Sequence, residues 1–465
     1  MIDLPNPSLR PEAAVDREGA SSRTRGRRFG SRSAGAVLPL LPLLPLLLLL
    51  SLLFASAGAF AQVVAVRGET VHTLAGSPIQ SGVVVVEAGK ITAVGPAASV
   101  SIPEGARVLD AAVVTPGLID VHSTVGLSGA YNSAIGPVRD QDQLETSSPI
   151  QPELRAIDAY NAREELIEYV RRFGVTTLHT GHGPGALISG QTMIVKTTGD
   201  TVEEALVEPS KMLAVTIGRL DSDFQTPGTL SKGIAMLRGA LLEAQEYRDK
   251  RRESEEGADQ GGDEDDRNDG DGGDEEGGGS APPRNLRNET LAAALDGELT
   301  LMVNANSATD IVSALRLQRE LGFDMVLDGA AESYLVLDEI RAAGVPVFLH
   351  PARARIPNKT FEIAKILRDA GIPFAVQTGH EGYVPKTRVL LFEVAHYAAN
   401  GLSAEEALAA VTLDAARLLG IDDRVGSLEV GKDGDLVLFD GDPFEYTSHV
   451  CAVLIEGEVL SEECR

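Results

Sequence analysis

From Gly117 to Gln377 the chain alternates short apolar runs with longer stretches in which apolar residues recur every three or four positions. The runs Gly117–Val121, Val175–His179, Thr192–Lys196, Met212–Ile217, Leu299–Val303, Asp324–Leu327, Val345–Leu349 and Pro373–Gln377 predict strands. Between many of them lie segments of helical period, "PELRAIDAYNAREELIEYVRRFG", "SATDIVSALRLQRELG", "ESYLVLDEIRAAG" and "NKTFEIAKILRDAG". Each closes on a glycine, the residue that tolerates the left-handed conformation ending many helices. Strands that alternate with helices pair in parallel, and eight such units over about 300 residues predict an α/β fold of the (β/α)8 TIM-barrel type. An open doubly wound sheet is the alternative. The flanking stretches 62–114 and 424–465 read instead as short strands broken by Gly, Pro and Ser turns, with a hairpin around Glu456-Gly457. Together they predict a small composite β-sandwich built from both ends of the chain, around a barrel over 115–423.

Two segments depart from this pattern. Glu253 to Arg284 has almost no apolar side chains and dense negative charge, so it cannot bury enough surface to offset chain entropy and is expected to be a disordered acidic loop. Its acid-glycine repeats lack the spacing of an EF-hand calcium loop. At the other extreme, residues 1–61 join an arginine-rich run to a leucine-rich one that ends in Ala59-Phe60-Ala61. That reads as a cleavable export signal with the mature chain starting at Gln62, which implies a secreted, periplasmic location. A retained membrane anchor is the competing reading.

Composition narrows the partners. Lys and Arg number 41 against 68 Asp and Glu, for a formal net charge of −27, which excludes a nucleic-acid-binding role. Only two cysteines occur, Cys451 and Cys464. In an oxidising compartment they could pair across a hairpin end, or stay free; neither is placed like a nucleophile.

The motifs "TPGLIDVHS", "GVTTL", "SGQTMIVKT", "TLDAARLLGIDDRVGSLEVGKDGDLVLFDGDP" and "VLIEGEVL" resemble the amidohydrolase superfamily, close to its imidazolonepropionase-like and dihydroorotase-like members. The resemblance implies a barrel hydrolase acting on non-peptide carbon-nitrogen bonds. One or two divalent ions would polarise the substrate carbonyl and lower the pKa of a bound water. The implied ligands are an HxH pair on the first strand, histidines ending strands 5 and 6, and an aspartate ending strand 8. Only His122 matches. Thr124 holds the second HxH position, Asn304 and then Asn306 stand where strand 5 carries histidine, Gly329 follows Asp328 on strand 6, and Gly379 takes the aspartate's place. Asn oxygens and Thr hydroxyls are weak zinc donors, and glycine offers none.

A rebuilt zinc site is a separate possibility. Of eight histidines, His122, His179, His182, His350 and His380 fall at or beyond predicted strand ends, where barrels keep their sites. His122, His179, His350 and His380 are the candidate metal ligands, with Asp328 and Lys196 as candidate catalytic carboxylate and amine. His182, Asn304, Arg353 and Tyr383 are candidate substrate contacts; the two arginines in "HPARAR" would suit a carboxylate. The bland reading makes these polar rim residues, and His72, His396 and His449 structural or surface groups. Three functions remain open: a hydrolase with a rearranged site, a pseudoenzyme binding a small molecule in the barrel mouth without metal, and a structural partner in a homo-oligomer or beside an intact relative.

Overall fold

The computed structural model describes residues 63–129, 142–218, 220, 224–260, 281–379 and 389–464. Along the chain run β1 (Val64–Val71), β2 (Ile79–Glu87), β3 (Lys90–Pro96), β4 (Arg107–Pro116), β5 (Leu118–Ser123), β6 (Val175–Thr180), β7 (Ile188–Gln191), β8 (Met193–Lys196) and β9 (Leu206–Glu208). They are followed by β10 (Met212–Thr216), β11 (Thr300–Ala305), β12 (Met325–Gly329), β13 (Val347–Leu349), β14 (Phe374–Val376), β15 (Leu436–Phe439), β16 (Val450–Ile455) and β17 (Glu458–Ser461). Each of the eight expected barrel strands is present, within a residue or two at its ends.

The two chain ends do build one β domain. Its strands form a single seven-stranded sheet in the order β17-β16-β15-β4-β1-β2-β3, where two facing sheets were expected. The join between ends is β15 against β4, antiparallel, with Leu436 opposite Pro116. Valine-rich strands suit it because both faces bury apolar side chains: Val64, Val66, Val84 and Val86 in one cluster, Ala65, Val83 and Val85 in another. Glu456 and Gly457 take positive φ (48° and 76°) in the turn between β16 and β17, the anticipated hairpin. Cys451, on β16, and Cys464 are joined in a disulfide.

In the barrel, β5 and β6 pair in parallel, and so do β10 through β14 in sequence. The ladders fall into a six-stranded and a four-stranded sheet. One seam is bridged by the continuous segment of β7 and β8, antiparallel to β10 through its first part and to β6 through its second. At the other seam Ser123 and Gly379 form a parallel bridge, Ile119 N–H donates to the Val411 carbonyl, and Val376 N–H to that of Ala410. The expectation of eight parallel strands is therefore corrected: the third runs backwards. Apolar periodicity reports burial and not strand direction, so the pattern was blind to this.

Helices Ala308–Leu321 and Leu337–Ala343 end on Gly322 and Gly344 in left-handed conformation, as their closing glycines require. Ser307 caps the first by accepting from Asp310 N–H. The first predicted helix is shorter than expected, confined to Glu165–Arg172 after a 3-10 turn at Ala156–Asp158. The expected loop from Glu253 begins later, since helix Leu230–Gln260 continues through its opening residues. Arg252 there pairs with Asp296 at 3.0 Å, beyond helix Leu286–Leu295, and Leu237, Leu241 and Leu291 bury in one cluster. No described helix is long and apolar enough to cross a membrane.

Candidate functional site

The centre of the barrel is organised by one carboxylate. Asp328 lies on β12 opposite Asn304 of β11, and residues opposed across a ladder point to one face. Its oxygens accept from Asn304 Nδ2 at 2.7 Å, Gln377 Nε2 at 2.6 Å and His122 Nδ1 at 3.0 Å, with the carboxylate almost wholly buried. Burial alone would push the His122 imidazole down and the Asp328 carboxyl up. Their mutual attraction and hydrogen bond outweigh it, raising the imidazole and lowering the carboxyl, so each partner favours the ionised form of the other. His122 Nε2 is buried and has no hydrogen-bond partner among the described residues.

Two residues before His122 on β5, ahead of a register shift against β6, Asp120 anchors the opposite seam. It accepts from Thr378 N–H at 3.0 Å, His122 N–H at 3.3 Å and, closely, the Thr378 hydroxyl. Burial still pushes its carboxyl up, to about 6, although these bonds act the other way.

The other histidines divide by what their nitrogens already hold. His179 Nδ1 donates to the Val121 carbonyl at 2.6 Å and its Nε2 meets the Thr192 hydroxyl at 2.6 Å, which braces β6 between β5 and the reversed strand. Burial drives it to about 3, so it is neutral with both edges spent. His350 donates from Nδ1 to the Pro351 carbonyl at 2.8 Å and burial lowers it to about 4, leaving Nε2 as a buried bare acceptor. Neither nitrogen of His182 finds a partner among the described residues, and burial lowers it too, to about 4.

A divalent ion of the kind the sequence resemblance implies needs three or four donor atoms around one point. His122, His179, His350 and Asp328 do not supply them: among the described residues these donor atoms form no such group. His179 has no nitrogen left, Asp328 already takes three N–H donors, and His122 has only Nε2. The two glycine positions disfavour a side chain through their positive φ. Gly329 has φ +85°, and a Cβ there would lie 2.5 Å from Asn306 Oδ1; Gly379 has φ +69° and donates its N–H to the His122 carbonyl. Thr124 shares a hydrogen bond with Ser128 at 2.8 Å. Asn306 fills the space a strand-6 histidine would cross. These described residues do not fit the ion.

Other expected residues land differently. Lys196 is not at the mouth: β8 runs backwards, which carries it beside Thr177 near the start of β6, where its amine bonds Asp435 at 2.5 Å and Asp433 at 3.2 Å. It joins barrel to β domain and has no catalytic position. Arg353 is exposed, and its backbone N–H donates to Glu393 at 2.8 Å. Asn304 stands in the site, but as a donor to Asp328. His380 and Tyr383 lie outside the described residues. Gln377, Asp120 and Thr378 belong to the site and were not singled out; the signal for Gln377 was its inward register on the last strand.

Comparison with known proteins bears on the lineage. The sequence model of the amidohydrolase family matches residues 307–460. An imidazolonepropionase of Rhizobium rhizogenes is 24% identical over 388 residues, 78% of this chain and 87% of that protein. One of Thermoplasma volcanium is 27% identical over 155 residues, so that match spans only 38% of the relative's length and 32% of this chain. The crystal structure of an amidohydrolase from Thermotoga maritima superposes with TM-score 0.74 at 26% identity, covering 86% of this chain and all of that one. With a barrel, a composite β domain and these relatives in agreement, the chain belongs to the amidohydrolase superfamily.

Proposed function

We propose that this protein keeps the barrel pocket of a carbon-nitrogen hydrolase without the metal-hydroxide reaction, and that it binds a small amide or cyclic amide at the His122–Asp328 pair. The observation that carries this is the closure of the metal positions: Gly329 is packed against Asn306, and Asp328 is occupied by three N–H donors. In place of an ion the pocket offers a complementary set of polar edges around Asp328 and Gly329. In the protonated form that the pairing with Asp328 favours, His122 Nε2–H is a charged donor suited to a carbonyl oxygen. Asn306 Oδ1, against Gly329, and His350 Nε2, on a residue whose N–H donates to the Gly329 carbonyl, are acceptors suited to an amide N–H. An amide presents that donor and acceptor pair side by side.

The arrangement favours binding over hydrolysis. Water attack needs a base, and His122 has its Nδ1 edge engaged by Asp328 while His182 and His350 are weak bases. The test is metal analysis of protein never exposed to chelator, with thermal shift and hydrolysis measured on a panel of lactams, imidazolones and dipeptides. Stabilisation by a cyclic amide without turnover and without stoichiometric metal supports the proposal. Bound zinc with turnover, lost in His122→Ala, would restore the hydrolase reading. We further place the protein outside the cytoplasm, because the segment ending at Ala59-Phe60-Ala61 has the form of an export signal and the Cys451–Cys464 bond suits an oxidising compartment.

A further inference from the structure

Away from the barrel pocket, one cluster of metal-binding side chains lies on the β domain. Cys451 of β16, Cys464 beyond β17 and Asp440 just after β15 bring two sulfurs and a carboxylate oxygen within 4.8 Å of one another. Ligand atoms around a tetrahedral zinc, with bonds of about 2.0–2.3 Å, stand roughly 3.3–3.8 Å apart, so modest side-chain adjustment would suffice. Asp440 is held from behind: His449 N–H donates to its Oδ1 at 2.6 Å and His449 Nδ1 to its Oδ2 at 2.9 Å. A carboxylate oriented by a histidine resembles the supporting shell that protein metal sites use to fix a ligand. The three residues also line a cleft of about 550 Å³ whose wall includes Arg67 and Phe439, so an ion has access.

We propose that Cys451, Cys464 and Asp440 form a redox-gated site for a zinc-class divalent ion, closed when the cysteines are bonded and open when a dithiol reduces them. A dithiol gives two electrons and two protons to the Cys451–Cys464 bond, yielding two thiols and its own cyclic disulfide. The ion then replaces the two thiol protons, which are released, and binds two thiolates and Asp440, with a fourth position left to solvent. Either form ties Cys464 to β16, by a covalent bond or by the shared ion. His449 is a positioning residue that aims the carboxylate. The inference is independent of whatever the barrel binds.

The test uses the full chain with cobalt as the probe. Protein is reduced with dithiothreitol, freed of it under anaerobic conditions, and titrated with cobalt chloride. The chain has only two cysteines, so a near-ultraviolet sulfur-to-cobalt charge-transfer band reports this site alone, whatever the barrel does. The expected result is one equivalent of band-forming cobalt in the reduced chain and none in the oxidised chain or in Cys451→Ser. Asp440→Ala should weaken binding by at least about tenfold, and His449→Ala by about 10–100-fold with the band retained. Zinc should displace the cobalt. No charge-transfer band in the reduced chain, with circular dichroism showing it folded, overturns the proposal. So does an Asp440→Ala affinity equal to that of the unaltered chain.

Discussion

Lys196→Met separates a structural lysine from a catalytic one, and its cost follows from what the amine leaves behind. Lys196 and its partners Asp433 and Asp435 are each under 5% exposed. Asp433 has two other cations, Lys90 at 2.6 Å and Arg424 at 3.0 Å, and keeps most of its support. Among the described residues Asp435 keeps only the Glu456 N–H at 2.9 Å and becomes a buried charge without an ion-paired cation. Removing one member of a buried pair typically costs 3–5 kcal/mol, and since one of the two acids is otherwise served, the expected loss is about 3 kcal/mol. Guanidinium unfolding followed by circular dichroism would read it as a lowered midpoint at unchanged slope. Asp435→Asn in the Lys196→Met background should recover part of the loss, because the orphaned charge is gone. Acidity gives a second reading. Burial would raise the Asp433 carboxyl, but Lys196, Lys90 and Arg424 overcome it and hold it below the ordinary value. Its contribution is therefore present above the unfolded pKa and fades as pH falls through the folded one, so the variant and the unaltered chain should converge in acid. Amide binding in the barrel should be unchanged. A Lys196→Met chain within about 1 kcal/mol of the unaltered one, or one that loses barrel ligand binding while remaining folded, would refute the assignment.

Asp120→Asn should flatten stability against pH between about 4 and 6: the folded carboxyl titrates near 6, so the folded chain holds more protons there and stability falls as pH rises, by up to about 3 kcal/mol in all. Urea midpoints across that range would check it, and an identical slope in the variant would contradict the assignment. Asp328→Ala strands N–H groups of His122, Asn304 and Gln377 and should cost about 3–5 kcal/mol in the same assay. Gly329→Ala combines a positive φ with a 2.5 Å approach to Asn306 Oδ1 and should destabilise by about 1–3 kcal/mol; a neutral result would mean the position is not closed. His122→Ala should weaken a bound lactam by roughly 1.5–3 kcal/mol in isothermal calorimetry, the value of a charged hydrogen bond.

How much of this was legible depended on what periodicity can carry. All eight barrel strands were visible because each is a short buried run between turn residues, and the composite β domain because its valine-rich strands stop at both ends of the middle segment. Direction was not visible, and Lys196 shows the cost: read as the end of an upward strand it belonged at the mouth, whereas the reversed strand delivers it to Asp433 and Asp435. His179 looked like a ligand since it closes a strand, yet a ring between Val121 and Thr192 has no free edge, a fact of three-dimensional partners. The helical reach to Gln260 was missed because a charged segment can still extend a helix whose earlier turns are packed. The vacated ligand positions were legible as residue types. That Asn306 packs against Gly329 required coordinates.

The backward third strand also divides the labour of the connections around it. The residues from Gly181 to Leu187, His182 among them, lie between the tip of β6 and an incoming strand that begins beside Val215, so they dip to the rim and return. The outgoing end, past Lys196, opens toward the β domain instead. Lengthening the first connection would reshape what enters the pocket, while lengthening the second would loosen the seat of the barrel on its neighbour. In such a barrel, recognition and anchorage can be altered separately through the two ends of a single strand.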